Sequence, residues 1–379
     1  MISHRPEQAL ISGYYGFGNT GDEAILQATL FAFYEMAPSL RLTVLSSNPE
    51  KTRKQYNVEA ISRMAVFKIF SAMRQARIFL SGGGGLLQDA TGWKSVYYYM
   101  GLVKLAKMAG CKTMIFGQGI GPLNGAQTRA FTKGIGNQLD LITVRDQPSA
   151  RLLKEIGIEK PRILVTADMV FCLEPASKKR LDVIMKNEGI TSRNPFFIVS
   201  VRPWKGSENH PERIGEAVEV ITRNTGWQAV FIPFQPDQDD EVTTRAWKAS
   251  KNCGVVLQGR YLPNELLSIF YRAHFTIGMR LHSLIFSTIA GAPSVGIVYD
   301  PKVRNFMDSI NAPYVQLSGI DKNKILEATQ QMLDNYERLS QIIETRAFEF
   351  RRMALENVRL AVELAGMKPA VLSWKGGSD

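Results

Sequence analysis

The 379-residue sequence has only three cysteines and no long hydrophobic run. Cys111, Cys172 and Cys253 are far apart, so they build neither a disulfide framework nor a CxxC metal site, and no bound metal is expected. The most apolar stretch contains His282 and Pro293, and it therefore predicts a helix, a turn and a strand rather than a membrane span. The amino terminus lacks the basic and apolar blocks of a signal peptide, so a cytoplasmic location is expected.

Positively charged residues are in excess, since the sequence contains 46 Lys and Arg residues and 35 Asp and Glu residues. The net charge of +11 is spread over both halves of the chain and favours anionic partners. Because no dense Lys/Arg run with interleaved aromatics is present, nucleic acid is not expected as a partner. Basic residues together with Trp93 and the Tyr97-Tyr98-Tyr99 run permit peripheral contact with the inner face of the plasma membrane, although that run could equally lie in a core.

The chain alternates between strand-like and helix-length segments throughout, which predicts βαβ units and parallel sheets. The sequence therefore indicates the α/β class, with two Rossmann-like domains that face each other across a cleft. The predicted domains are residues 1–175 and residues 176–379, with EPASKKR as the linker and long helices over residues 323–365. Eleven strands are predicted, namely 9–13, 41–46, 76–81, 111–117, 141–145, 163–167, 196–201, 228–234, 255–258, 275–278 and 294–298.

The strongest local motif is GYYGFGNTGDEAIL at residues 13–26, in which Gly16, Gly18 and Gly21 match G-x-G-x-x-G. A dinucleotide site also needs a carboxylate at the end of the next strand, and that strand ends in Leu-Ser-Ser-Asn, which disfavours NAD. Two interpretations stay open. The segment is either a tight turn capped by Thr20 or Asp22, or a polar loop in which Asn19, Asp22 or Glu23 meets substrate hydroxyls.

Two more glycine-rich loops follow predicted strands, FLSGGGGLLQD at 79–89 and GQGIGPL at 117–123. Consecutive glycines are costly in entropy, so they suggest that something approaches the backbone closely. Asp89 either binds hydroxyls or acts as a base, or it caps a helix. All three loops are expected at one edge of a parallel sheet.

Arginines end two predicted strands, Arg145 in LITVRD and Arg202 in FIVSVRP. A guanidinium at that position suits a carboxylate or phosphate, although each could equally form a structural ion pair. Asp146 is adjacent to Arg145, and Asp168 is a candidate for the carboxylate that orients one of the two arginines.

The segment at 276–303 contains the one histidine that is paired with an arginine at a strand-to-helix junction, His282 beside Arg280. The other histidines lie at the terminus (His4), in a polar loop (His210) and in an apolar context (His274). A bound anion would favour the protonated imidazole, which suits a general acid. The alternative is a capping or packing histidine. Further along the chain, Lys302 could reach the same anion or could simply be solvated.

These motifs, in this order over about 290 residues, resemble the polysaccharide pyruvyl transferases, and most closely the CsaB type of Gram-positive cell-wall synthesis. The resemblance implies a GT-B-like fold and a transferase that uses no cofactor, with phosphoenolpyruvate as the donor substrate. It implies a 4,6-linked pyruvate ketal on N-acetylmannosamine of an undecaprenyl-diphosphate-linked saccharide. The product would be a secondary cell-wall polymer that anchors S-layer proteins.

The resemblance places the catalytic histidine on His282, the catalytic arginine on Arg145 and a donor-binding lysine on Lys302. It also places the loop from Tyr14 to Glu23 on the acceptor side, in the amino-terminal domain, and the donor in the carboxyl-terminal domain. With the strand-end residues added, three sets of site residues are predicted. They are catalytic His282, Arg145 and Arg280; donor-binding Arg202, Lys302 and Ser283; and acceptor-binding Tyr14, Gly16, Phe17, Asn19, Asp22, Glu23, Asp89 and Gln118.

Rival functions remain open at this stage. The same glycine-rich loops and basic residues would equally suit a GT-B glycosyltransferase that uses a nucleotide sugar. A non-catalytic membrane-surface or glycan-binding protein would explain the positive charge, but it would not explain an arginine and a histidine at a strand-end junction.

Overall fold

The computed structural model describes residues 5–90, 92–191 and 195–370, so His4 lies outside the described part. The chain divides into two α/β units. Unit 1 comprises the residues up to 17, residues 22–173 and those from 350 onward, and unit 2 comprises residues 18–21 and 174–349.

The sheet of unit 1 is parallel throughout. Its strands run in the order β3-β2-β1-β4-β6-β7-β8, and β5 pairs with β6. Ala9, Leu10 and Ile11 of β1 are fully buried, because helices cover both faces of such a sheet. The strands are β1 (Gln8–Ser12), β2 (Arg41–Ser46), β3 (Glu59–Ser62), β4 (Ile78–Ser81), β5 (Gly84–Leu87), β6 (Lys112–Ile120), β7 (Leu141–Val144) and β8 (Arg162–Val165).

Six helices connect these strands. Several begin at the capping residues that their sequences provide: Asn48 accepts from the amide of Lys51, and Asp146 accepts from that of Ser149. The helices are α1 (Thr20–Met36), α2 (Pro49–Tyr56), α3 (Val66–Gln75), α4 (Lys94–Met108), α5 (Ala126–Gly136) and α6 (Gln147–Glu155), followed by a 3₁₀ turn at Met169–Cys172.

Unit 2 repeats the architecture with a second parallel sheet in the order β11-β10-β9-β12-β13-β14. Its strands are β9 (Phe196–Ser200), β10 (Gln228–Phe231), β11 (Val255–Val256), β12 (Thr276–Gly278), β13 (Ser294–Val298) and β14 (Tyr314–Gln316). Its helices are α7 (Lys178–Asn187), α8 (His210–Thr225), α9 (Pro236–Ala249), α10 (Pro263–Phe270), α11 (Leu281–Ile289), α12 (Pro301–Ser309), α13 (Lys322–Asp334) and α14 (Tyr336–Leu364).

Helix α14 starts in unit 2, but its residues from Phe350 onward belong to unit 1. The sequence prediction had assigned all of it to the second domain. Asn357 explains the difference: it is fully buried, its side-chain oxygen accepts from the Thr166 hydroxyl at 2.7 Å, and its amide donates to the Ala167 carbonyl at 3.1 Å. Helical periodicity marks a buried face but does not indicate which unit covers it.

The predicted α/β class with parallel sheets in two domains is confirmed. Each of the eleven predicted strands corresponds to an observed one, and β3, β5 and β14 were not predicted. In the described ranges, no helix has both the length and the apolar character needed to cross a bilayer.

Candidate active site

The site that contains most of the predicted catalytic and donor-binding residues lies at the carboxyl edge of the unit 2 sheet. The chain leaves β9 and its neighbour β12 in opposite directions along the sheet order, which makes this the topological switch point where open α/β sheets bind ligands. Arg202 follows β9, and Arg280 and His282 follow β12. Lys302 follows β13, the next strand. The structure therefore brings four of the predicted residues to one sheet edge.

His282 lies in the first turn of α11, and the residue is half-buried, with its Nε2 atom buried. Its Nδ1 edge faces Gly21, where a β-carbon would overlap the ring. Gly21, the second residue of α1, belongs to the segment 18–21 that groups with unit 2, and its amide donates to the Asn19 side-chain oxygen at 3.0 Å. The third glycine of the first motif therefore makes room for an imidazole.

A polar chain links this loop to Arg280. The Asn19 amide donates to Gln235 at 3.0 Å, and the Gln235 backbone amide donates to Asp239 at 2.9 Å. Both oxygens of Asp239 accept from Arg280, with Nε at 3.0 Å. Asp239 is fully buried, so the Arg280 charge is already paired. Arg280 thus positions the start of α11 and is not an open cation for a donor substrate.

Arg202 lies in an aromatic setting. Its Nη1 donates to the Tyr299 hydroxyl at 2.9 Å, and its guanidinium carbon lies 4.8 Å from the Tyr299 ring centroid and 5.5 Å from that of Trp204. Its Nε is buried and has no protein hydrogen-bond partner in the described part of the chain. Buried His210 holds the backbone here, with Nε2 2.8 Å from the Arg202 carbonyl oxygen. A fixed guanidinium with unused hydrogen-bonding capacity suits an anion.

Lys302 and Ser283 differ in accessibility. Lys302 is exposed, and its ammonium lies 3.6 Å from Asp300 and 6.0 Å from the Tyr299 ring centroid. Ser283 is fully buried, and its hydroxyl donates to the Arg280 carbonyl at 2.6 Å. Lys302 is thus available to an anion, whereas the Ser283 hydroxyl is used to stabilise the first turn of α11.

The switch point of unit 1 lies between β1 and β4, and the loop after β1 carries an aromatic cluster. The Tyr14 and Phe17 rings stack at 4.1 Å. The Arg63 guanidinium carbon lies 5.1 Å from the Phe17 centroid and 4.3 Å from that of Tyr98. Burial raises the pKa of Tyr14, and the Asp22 carboxylate raises it further. The neutral Tyr14 hydroxyl and the half-buried Asp22 are polar groups beside a stacking surface.

Glu23 and Gly16 support the loop itself. Glu23 is buried, and its carboxylate accepts from the Gly16 amide at 2.7 Å and from the Tyr56 hydroxyl at 2.9 Å. These contacts occupy both carboxylate oxygens. Of the predicted acceptor residues in this segment, Glu23 is buried and fixes the backbone. The others have accessible surface: Tyr14, Gly16, Phe17, Asn19 and Asp22.

Several glycines in the glycine-rich loops of unit 1 face side chains of the protein, whereas Gly85 is open. Gly82 faces the buried Tyr15 hydroxyl, Gly84 faces Asp22, and Gly119 faces the Arg145 guanidinium. Gln118 is also fully buried, and its amide donates to Ser81 and Gly82, at 2.6 Å in the latter case. The close approach expected from these glycines is real, but the approaching groups are internal, and Gln118 is structural.

Asp89 is a capping carboxylate. It accepts from the amides of Asn124 and Gly125 and from the Thr128 hydroxyl at 2.6 Å, at the start of α5. Partial burial raises the pKa of Asp89, but these hydrogen bonds outweigh burial and lower it below its ordinary value. These contacts agree with the alternative that Asp89 caps a helix. Because its oxygens already accept these hydrogen bonds, Asp89 has little capacity to act as a base.

Arg145 is held by Asp168, as the sequence suggested. The Nη1 atom lies 2.9 Å from the Asp168 carboxylate, and both side chains are buried. Burial lowers the pKa of Arg145, but the carboxylates of Asp168 and Asp146 raise it above its ordinary value, so the group stays cationic.

Sequence reasoning missed three residues that shape these sites. Asp239 lies in the acidic run PDQDDE at a helix start, Tyr299 lies three residues before Lys302 in the segment at 276–303, and Arg63 lies in no motif. In the part of the chain that the structure describes, no group of three or more His, Cys, Asp or Glu side chains is placed to hold a metal ion.

A family comparison identifies the class of protein to which these sites belong. The model of the family described as polysaccharide pyruvyl transferase matches residues 19–301, well over half of the chain. The chain belongs to this family. As a polysaccharide pyruvyl transferase it is an enzyme, and the matched region begins at Asn19 and includes Gly21, His282 and Tyr299.

A distant relative is the amylovoran biosynthesis protein AmsJ of Erwinia amylovora, 20% identical over 407 residues, covering 91% of this chain and 96% of AmsJ. Among solved structures, the match to HepE of Anabaena in complex with UDP covers 95% of this chain and 100% of the HepE chain, at 11% identity and a TM-score of 0.62. UDP-GlcNAc 2-epimerase of Neisseria meningitidis covers 93% of this chain and 99% of its own, at 11% identity and a TM-score of 0.61. At these identities the likeness concerns the fold, which is GT-B.

Proposed function

We propose that this pyruvyl transferase uses phosphoenolpyruvate as donor and forms a 4,6-linked pyruvate ketal on a sugar, with release of phosphate. The proposed acceptor is N-acetylmannosamine of an undecaprenyl-diphosphate-linked saccharide, as in the CsaB type, at the inner face of the plasma membrane. The product would then be a secondary cell-wall polymer that anchors S-layer proteins.

The observation that carries the donor assignment is the row of groups after β9, β12 and β13. Arg202 and Lys302 offer positive charge, and His282 offers a proton donor between them in strand order. Phosphoenolpyruvate carries a phosphate and a carboxylate, so two separate cations beside one acid match its charge distribution. The resemblance had named His282 and Lys302 for these roles, and Arg202 with Tyr299 adds a fixed anion contact.

The proposed chemistry requires one proton donor. The imidazolium of His282 protonates the methylene carbon of phosphoenolpyruvate, which leaves the central carbon cation-like. One sugar hydroxyl adds to that carbon and gives its proton to the Asp22 carboxylate, from which it returns through solvent to restore the His282 imidazolium, and the C–O bond to phosphate breaks. The second hydroxyl then closes the ketal, and its proton leaves with phosphate. Arg202 and Lys302 are expected mainly to bind the phosphate and the carboxylate of the donor and so to hold it beside His282.

The acceptor is assigned to the loop after β1, in unit 1. Stacked Tyr14 and Phe17 offer an apolar face of the kind that covers a sugar ring, and Asp22 offers a carboxylate for hydroxyl groups. This segment continues directly into residues 18–21, and Gly21 abuts the imidazole of His282. Asp22 rather than Asp89 is the candidate base, because the oxygens of Asp89 are used in capping.

The buried arginines receive different roles in this proposal. Arg280 positions His282 through the start of α11, and Arg145 maintains a positive charge beside Gly119 while Asp168 holds its orientation.

A glycosyltransferase that uses a nucleotide sugar is the alternative, and the fold shared with HepE, solved with UDP, favours it. Calorimetry with phosphoenolpyruvate and with UDP separates the two, since the pyruvyl transferase is expected to bind the former and not the latter.

The decisive experiment incubates lipid-linked saccharides with phosphoenolpyruvate and detects the pyruvate ketal by mass spectrometry, with phosphate release measured in parallel. His282→Ala is expected to lose at least about 100-fold in turnover, the range for a general acid. His274→Gln is the matched control, since His274 lies at the amino end of β12 and should retain turnover. Near-normal turnover of His282→Ala would remove the assigned role, and absence of the ketal with wild-type enzyme would remove the proposed reaction.

A further inference from the structure

Four large apolar side chains lie exposed where α3 and α4 begin. Phe67 is 93% exposed, Met64 74%, Trp93 59% and Val66 58%. The Tyr98 hydroxyl in α4 donates to the Arg63 carbonyl at 2.9 Å, so the starts of the two helices are neighbours. Single exposed apolar residues are normal on protein surfaces, whereas three within four residues, Met64, Val66 and Phe67, form a group that marks an interaction site. We call residues 63–68 with 93 and 94 the α3–α4 tip.

The chain around the α3–α4 tip is strongly basic. Residues 60–139 contain ten Lys and Arg residues and a single acidic residue, Asp89. Three of the ten are paired with carboxylates outside this range, Lys107 and Lys112 with Asp140 and Arg77 with Glu7. Lys68 and Lys94 are exposed within the tip itself. Neither α3 nor α4 has an acidic residue in its first turn, so the positive ends of two helix dipoles add to the field. The tip therefore combines apolar side chains with a surface that attracts anions.

A lipid interface is the occupant that uses both properties. A soluble polyanion would match the charge but would leave Phe67 and Met64 in water. Aromatic and aliphatic side chains at the head-group level, with lysines around them, are the pattern by which proteins bind an anionic membrane from one side. We propose that the α3–α4 tip inserts reversibly into the interface of a membrane that contains anionic lipid.

The location of the tip connects this surface to the acceptor. Arg63, the first residue of the tip, has its guanidinium carbon 5.1 Å from the ring centroid of Phe17, which stacks on Tyr14. An insertion site there would present the head group of a lipid-linked saccharide beside the loop assigned to it. Only this last step rests on the proposed function, because membrane binding by the tip requires no substrate.

The test is sedimentation of the full chain with vesicles of phosphatidylcholine, with and without 30% phosphatidylglycerol. Binding is expected to require the anionic lipid. Phe67→Ser should weaken it by about 10- to 100-fold, the cost of leaving one aromatic side chain in water. Lys68→Gln and Lys94→Gln should each weaken it by about fivefold. Phe348→Ser removes another exposed aromatic side chain, 52% exposed in α14, and should leave binding unchanged.

Three outcomes would overturn the proposal: no sedimentation of the wild-type chain with anionic vesicles, equal losses for Phe67→Ser and Phe348→Ser, or binding that high salt abolishes while Phe67→Ser leaves it intact. The last result would indicate a soluble polyanion instead. Pyruvylation of a water-soluble acceptor saccharide by Phe67→Ser should equal that of wild type. A chain that binds vesicles and forms no ketal would contradict the proposed function alone.

Discussion

Gly21 and His282 fit against each other so closely that a β-carbon on residue 21 would overlap the imidazole. The two residues come from opposite ends of the match to the family, one in the first glycine motif and one at the start of α11. The third glycine of that motif is therefore explained by a packing requirement at a proposed catalytic group.

Gly21→Ala is expected to displace the His282 ring and to lower the turnover of pyruvyl transfer by about 100-fold, the effect of a misplacement of about 1 Å. Rate measurements at saturating phosphoenolpyruvate check this. Gly134→Ala is the control, since nothing lies within 4 Å of the added methyl group and the residue is helical. Unchanged turnover of Gly21→Ala would show that the ring can move without loss.

Asp239→Asn is expected to destabilise the enzyme by about 3 kcal/mol, because it leaves the Arg280 guanidinium without its buried partner. The midpoint of urea unfolding reports this change. Glu349→Gln removes one side of an exposed pair with Arg346 and should shift stability by about 0.5 kcal/mol or less. Equal effects of the two substitutions would contradict a structural role for the buried pair.

Tyr299→Phe is expected to raise KM for phosphoenolpyruvate by about 3- to 10-fold with little effect on kcat, since one hydrogen bond that orients Arg202 is lost. Steady-state kinetics separates the two constants. Tyr336→Phe loses a comparable hydrogen bond to the His274 carbonyl and should leave KM unchanged. A fall in kcat alone would place Tyr299 in the chemical step rather than in donor binding.

Asp89→Asn is expected to change the pH dependence of stability and to spare turnover. The pKa of Asp89 is lowered in the folded enzyme, so its contribution is complete above the ordinary carboxyl value of 3.8 and is lost as the pH falls below it. Thermal unfolding between neutral and acidic pH should therefore show a smaller acid-induced loss in the variant. Asp237→Asn, at a side chain 85% exposed, is the control. Loss of turnover in Asp89→Asn would restore Asp89 as a candidate base.

The sequence predicted the fold more completely than the site. Parallel strands in such sheets are continuous apolar runs, so β2 and β13 were located to the residue. The sequence did not predict β3, β5 and β14, which are short or glycine-rich. A strand of three or four residues is too short to show a recognisable hydrophobic pattern. Strand ends also indicated Arg145, Arg202, Arg280 and His282, because strand-end residues reach one edge of the sheet.

Pairings between distant residues could not be read from the sequence. Asp239 binds Arg280 from 41 residues away, and Asn357 binds Thr166 from 191 residues away. Such partners determine whether a cation is open to a ligand or already neutralised. Spacing predicted where a charge would be placed, and only the packing of helices on the sheets showed which carboxylate lay beside it.

The distribution of residues 18–21 and 350–370 has a practical consequence for dissecting the enzyme. A polypeptide cut between Leu173 and Glu174 would yield two pieces that each lack a part of their own unit. The first piece would lose the end of α14 and with it Asn357, the partner of the Thr166 hydroxyl. The second would lose Gly21, against which the His282 ring packs. To study either unit in isolation, its missing segment must be joined back through a short linker: residues from 350 onward for unit 1 and residues 18–21 for unit 2.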